Sequence, residues 1–374
     1  MSKFCLPLEK PKPNSGRFID VLMGKKATDK PPLIDYLVDD DIMRIILEEL
    51  IGLKWMYPYK AEFGIKKRAT NDRKIMAAYW DNYIEFWYRM GYDYVRLEMG
   101  YDFPLKHRVA KDTAEISRGG NRAWAEETES VIKNWQDFEN YPWPKSEDLD
   151  FFPFEYVSTH LPEGMKMIVS HAGGPLERLT WIISIQSLSI LLYDNPELIE
   201  AVVNRIGSLM VEFYKCILEI PGICAIFPGD DMGYKTSTVI SPKHLGQFIL
   251  PWHKKFAQMA HDKNLPYFLH SCGNLEEIMS SLIEEVKIDG KHSFEDVIIP
   301  AVDFKRKYGD KIAVLGGVDM DYLSRCRPDE VRCYVRKLIN DCAPGGRFAV
   351  GAGNSIANYI PVENYLTMLD EALK

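Results

Sequence analysis

His270-Ser271-Cys272 is the stretch of this chain most suited to chemistry. Alternate residues at the end of a strand project to the same side, so the spacing can present an imidazole and a thiolate to one cation. Zinc accepts both ligand types and polarises an oxygen bound to it. Two ligands do not make a site. A third has to come from a neighbouring loop: Asp230, Asp231, His292 or Glu295. The plain alternative is a buried cysteine packed beside a hydrogen-bonded histidine.

Other titratable groups recur at similar places. Asp230-Asp231 can polarise a substrate or accept a proton, although paired aspartates also cap helices and hold lysines. Glu98 and His171 stand at strand ends as further catalytic candidates, with a salt bridge as the structural alternative for Glu98. Tyr36, His292, Glu295 and Asn354 are candidates for binding substrate. Asp39-Asp40-Asp41 reads as a helix start, where acidic groups are favoured. The aromatic-rich stretch from Tyr79 to Tyr94 reads as helix packing.

These residues need elements to position them. Eight short apolar runs read as strands: Leu33–Tyr36, Tyr94–Glu98, Lys166–Ser170, Ile223–Phe227, Tyr267–His270, Lys291–Phe294, Ala313–Leu315 and Phe348–Gly351. Between most of them the apolar period changes to that of a helix. After Pro196, residues Leu198, Ile199, Val202, Val203, Ile206, Leu209, Met210 and Phe213 share one helix face, with Asn195 placed to cap it. Ser241-Pro242, Pro328 and Pro361 open three more helices. Eight strands alternating with helices predict an α/β fold, a (β/α)8 TIM barrel, whose chemistry sits at the C-terminal strand ends. An open doubly wound sheet is the runner-up, but no glycine-rich dinucleotide turn follows the first strand. One domain spanning 1–374 is expected. Residues 1–30 form an N-terminal helical extension whose first 16 residues run over the surface, and 31–374 a barrel with inserted helices and loops around 45–144 capping its mouth.

Composition narrows the function classes. The chain has 374 residues, 46% hydrophobic and 27% charged, the balance of a globular protein. Its net charge of −8, with no basic block, argues against nucleic acid as a main partner. Seven cysteines are too few for a disulfide scaffold. The N-terminus lacks the apolar core of a signal peptide, and Leu179 to Tyr193 is too short and too polar to span a bilayer. A cytoplasmic enzyme acting on a small molecule is expected.

An ordered set of landmarks carries a family resemblance. They are Gly173-Gly174-Pro175-Leu176, Tyr193-Asp194-Asn195-Pro196-Glu197, Gly229-Asp230-Asp231, Ser241-Pro242, His270-Ser271-Cys272-Gly273-Asn274, Gly316-Gly317-Val318-Asp319, Gly351-Ala352-Gly353 and Pro361-Val362-Glu363-Asn364. In these the chain resembles the uroporphyrinogen decarboxylase superfamily from about Arg17 onward, most clearly after Ile168. The resemblance implies a TIM barrel. The superfamily also includes corrinoid-dependent methyltransferases. The decarboxylase holds its porphyrinogen carboxylates with arginines after the first strand. Here that segment reads Leu33-Ile34-Asp35-Tyr36-Leu37-Val38-Asp39, and its acids would repel a polycarboxylate. Ala352 stands where the decarboxylase has a histidine.

The methyltransferase branch is more similar, and Ser130 to Pro144 also looks like its members. That branch implies methyl transfer to or from a corrinoid (cobalamin) carried by a partner protein. Several members hold zinc with His-x-Cys and a distant cysteine. His270 and Cys272 match the first two positions, and the third falls at Ala352. The expected reaction takes a methyl group from a small donor, such as a methoxylated aromatic, with protonation or Lewis-acid coordination of the leaving oxygen. The alternatives are a decarboxylase of a non-porphyrin acid, methyl transfer from a corrinoid to tetrahydrofolate or a thiol, and a non-catalytic binding paralogue. Self-association as a homodimer is expected by the same resemblance.

Overall fold

The computed structural model of the chain describes residues 5–62, 65–68, 70, 72–114, 121–125 and 128–374. Eleven strands are formed among these residues. β1 (Tyr59–Glu62) and β2 (Ile65–Arg68) pair antiparallel, as do β4 (His107–Lys111) and β5 (Asn121–Ala125). The other seven are parallel: β3 (Tyr94–Met99), β6 (Lys166–His171), β7 (Ile223–Ile226), β8 (Phe268–His270), β9 (Gly290–His292), β10 (Ala313–Leu315) and β11 (Phe348–Ala349).

The parallel strands form two sheets, ordered β3-β6-β7 and β8-β9-β10-β11. Isolated bridges Ile226↔Tyr267 and Gly229↔His270 join β7 to β8. Bridges Leu33↔Val350 and Val38↔Ile356 lay the 33–38 segment beside β11. The two ends of this order meet through a side chain. The Asp35 amide donates to the Tyr94 hydroxyl at 2.9 Å, and that hydroxyl donates to the Asp35 carbonyl at 2.9 Å. The result is an α/β fold of parallel strands with helices packed outside them on one continuous apolar core.

The helix start signals act locally as expected. Asn195 caps Pro196–Ile217 by accepting from the Leu198 amide at 3.3 Å, and the predicted apolar face of this helix is buried. Asp39 caps Asp40–Ile46 through the Asp41 amide. No described helix is long and apolar enough to cross a membrane. Two expectations need correction. The 45–144 insertion is not built of helices and loops alone. It also contains the hairpins β1-β2 and β4-β5, whose strands of four and five residues are too short for a period to show. The N-terminal extension does not simply run over the surface, because Pro11 is buried and the Asn14 amide donates to Asp93 at 2.6 Å.

Candidate functional site

Two loops that follow adjacent strands build the site. The loop after β7 carries Asp230 and Asp231, and the loop after β8 carries Cys272. The loops cross with their backbones touching. A side-chain carbon on Gly233 would lie 2.5 Å from the Cys272 carbonyl oxygen, and one on Gly273, whose φ is +79°, would lie 2.3 Å from the Gly233 carbonyl carbon. Only glycine permits this approach. It lets the Cys272 amide donate to Asp231 Oδ1 at 2.8 Å.

Among the described residues, one group of three metal-type ligands stands close together. The donor atoms of Asp231, His270 and Cys272 all lie within 4.8 Å of one another. Cys272 Sγ is 3.4 Å from His270 Nε2, which is 3.6 Å from Asp231 Oδ1. Of the candidates for a third donor, Asp231 is the one whose carboxylate stands within reach of both His270 and Cys272. Ala352, where the resemblance places a third ligand, is buried; its amide donates to Asp35 and its carbonyl accepts from His292.

The surroundings orient these ligands. His270 Nδ1 lies 2.7 Å from His292 Nδ1, and His292 Nε2 lies 3.1 Å from the Ala352 carbonyl oxygen. Burial lowers the pKa of both rings, His292 to about 3, so both are neutral. A carbonyl only accepts. His292 therefore donates from Nε2 and accepts at Nδ1, and His270 donates from Nδ1. The lone pair of His270 Nε2 is left facing Cys272 and Asp231. The Tyr36 ring stacks on His270 at 4.2 Å, and its hydroxyl donates to Glu98. Arg96, fully buried, binds Glu98 and Ser170 at 2.9 Å each.

Cys272 Sγ accepts from Ser293 Oγ at 3.4 Å and from Asn354 Nδ2 at 3.3 Å. Burial, and then the Asp231 charge, still push the Cys272 thiol up to about 12. Burial also raises the Asp231 carboxyl. Left to itself the Cys272 thiol stays protonated, whereas a divalent cation beside it would draw the proton off. Lys291 stands beneath, with its ammonium donating to the carbonyls of Ser271, His292 and Ser293.

The remaining expected residues lie elsewhere. Asp230 is fully buried. Its carboxylate accepts from the Leu176 amide at 3.1 Å and the Glu177 amide at 2.9 Å, and its Oδ2 lies 2.8 Å from His253 Nε2. It caps the helix Pro175–Ile183 from a neighbouring loop, supplying the acceptor those free amides need. His171 also stays outside the cluster. Strand alternation turns Ser170 toward Arg96 and Glu98, so His171 packs against Tyr214 and Phe256 with its Nδ1 2.7 Å from the Gly173 carbonyl oxygen. Glu295 is partly buried, and its carboxylate has no hydrogen-bond or ion-pair partner among the described residues.

Residues that sequence reasoning passed over also matter here. Glu177 is one: burial and then the Asp231 and Asp230 charges hold its carboxyl well above the usual range. Arg96 lies two residues before Glu98 on the same strand face, and that spacing was a legible signal. His253 and Ser293 gave none.

The geometry can hold a borderline cation by one nitrogen, one sulfur and one oxygen, beside the Glu98 and Glu177 carboxyls. Among curated proteins, none matches the chain. The model of one protein family, Uroporphyrinogen decarboxylase (URO-D), matches residues 127–374, more than half of the chain and including every ligand of this cluster. The chain belongs to the uroporphyrinogen decarboxylase family.

Proposed function

We propose that the chain is an enzyme of the methyltransferase branch of this family, and that its eight parallel segments close as a (β/α)8 barrel around the site. In this reading it moves a methyl group from a small donor, a methoxylated aromatic, to the cobalt of a corrinoid carried by a partner protein. The observation that carries the reading is the Asp231, His270 and Cys272 cluster. A nitrogen–sulfur–oxygen donor set, with the imidazole oriented by a second histidine, fits zinc. Asp231, His270 and Cys272 would be the ligands. Zinc held there would supply Lewis acidity toward the ether oxygen, whose departure as a phenoxide is otherwise slow.

The chain's own residues do the rest. His292 fixes the ring of His270. Ser293 and Asn354 donate to the Cys272 sulfur and stabilise its thiolate. Burial, and then the Asp231 and Asp230 charges, raise the Glu177 carboxyl, which favours its protonated form as the proton donor to the leaving oxygen. Tyr36 closes the floor over Glu98.

The test is zinc analysis of the purified protein combined with a visible-spectrum assay for methylcobalamin formed from cob(I)alamin and a panel of methoxyaromatics. Methylcobalamin formation together with one zinc per chain is the expected result. Carbon dioxide release from a carboxylic acid, without any methyl transfer, would replace this reading with the decarboxylase one.

A further inference from the structure

We propose that Arg178 is a receptor for a negatively charged group of the substrate, so that the methyl donor is an aromatic acid rather than a neutral ether. The inference rests on the methyltransferase reading for the word donor; the anion site itself does not.

Arg178 lies in the helix Pro175–Ile183, which follows the C-terminal end of β6. The residue before it, Glu177, donates its amide to Asp230, the neighbour of the candidate ligand Asp231. Arg178 therefore stands on the face of the molecule that carries the cluster. Its residue is only 8% exposed. The guanidinium lies over two rings, with Cζ 5.1 Å from the centre of the Phe103 ring and 4.7 Å from that of Trp181. Its Nε and Nη2 both donate to the Ala172 carbonyl, at 3.0 and 2.6 Å.

Those two bonds leave the other edge of the fork unused. Nη1 has no partner among the described residues, and no carboxylate there forms an ion pair with this side chain. Glu177, Glu98 and Asp102 act on it only from a distance. A guanidinium cannot shed its charge, and a buried charge is costly unless it is paired. A cation fixed by stacking, bonded along one edge and open along the other, is arranged to accept a carboxylate from outside. Trp181 and Trp143, both partly exposed, with Phe103 and Tyr141 packed edge-on behind them, supply aromatic surroundings for the body of the same molecule.

The probes are 4-methoxybenzoate and its uncharged counterpart 4-methoxybenzamide, titrated calorimetrically into the full-length protein. The wild type should bind the benzoate about 10- to 100-fold more tightly. Arg178→Gln should abolish that difference, and Arg178→Lys should keep part of it. Equal binding of the two probes by the wild type, binding of neither, or a preference that survives in Arg178→Gln would overturn the proposal. Should Arg178→Gln fail to fold by circular dichroism, the wild-type comparison and Arg178→Lys decide alone. Methyl transfer to cob(I)alamin is followed in parallel. A benzoate preference without methyl transfer sinks the methyltransferase reading and leaves the anion site standing. Methyl transfer without the preference does the reverse.

Discussion

His270 and His292 meet nitrogen to nitrogen, Nδ1 to Nδ1 at 2.7 Å, and this contact decides which atom of His270 faces Cys272. The direction of the bond is set at its far end, where the Ala352 carbonyl can only accept from His292. His292 is thus a positioning residue for His270. Replacing His292 by phenylalanine should lower zinc affinity about 10- to 100-fold, measured by competition with a chromophoric chelator. His292→Gln, which can still accept from His270, should recover part of it. Unchanged affinity in His292→Phe would mean that the ring of His270 is held by the Tyr36 stack alone.

The raised pKa values of Cys272 and Asp231 make a second prediction. At pH 8 a thiol titrating near 12 is protonated, so zinc must displace its proton to bind. Zinc titrations in buffers of different ionisation enthalpy should report proton release. Cys272→Ser should bind zinc more weakly and release about one proton fewer. In metal-free protein, iodoacetamide should modify exposed Cys216 and Cys333 well before Cys272. Rapid alkylation of Cys272 would show that its sulfur is already a thiolate without metal.

The same residues show what the sequence could reveal. His-x-Cys was legible because strand alternation alone puts both side chains on one face. The choice between Asp230 and Asp231 was not. Adjacent residues in a loop have no fixed relative direction, and here one turns into the cluster while the other turns back to cap a helix. That cap was invisible because Asp230 and Leu176 are 54 positions apart. Arg178 was hidden in an amphipathic pattern, where it reads as one more polar position. The parallel strands were found to within a few residues because their buried runs are mainly apolar, as in Met167 to Val169 of β6 and in all of β7. Leu33–Tyr36 was read as a strand, yet the 33–38 segment lies beside β11 only through isolated bridges.

Asp230, His253 and Tyr267 form a buried chain, with His253 Nδ1 2.8 Å from the Tyr267 hydroxyl. Its role here is structural. His253→Ala leaves Asp230 short of a partner and opens a cavity, so the loss should be about 2–4 kcal/mol in urea unfolding. Gly174→Ala attacks the same joint from the other side, because the added carbon would lie 2.1 Å from Asp230 Cβ. It should destabilise the fold and also weaken zinc binding, since Asp231 follows Asp230. Normal stability in both variants would remove this joint from the account of the site.

Asp35 makes stability depend on pH in a direction opposite to that of an ordinary surface acid. It is fully buried, and burial raises its pKa to about 7, outweighing the bonds from Tyr92 and the Ala352 amide. Between about pH 4 and pH 7 the folded chain keeps a proton on Asp35 that the unfolded chain has lost. Stability from this group is therefore fully present below about pH 4, falls as the pH rises, and levels off above about 7. The change is at most about 4 kcal/mol. Asp35→Asn should flatten that slope. Its oxygen can still accept from Ala352 and its amide can donate to Tyr92, whose hydroxyl lies 2.9 Å from that of Tyr365. Urea unfolding at pH 5 and pH 8 gives the answer: the wild type should lose stability between them and Asp35→Asn should lose less. Equal slopes in the two proteins would mean that Asp35 is already ionised in the fold, with the tyrosines around it carrying the charge.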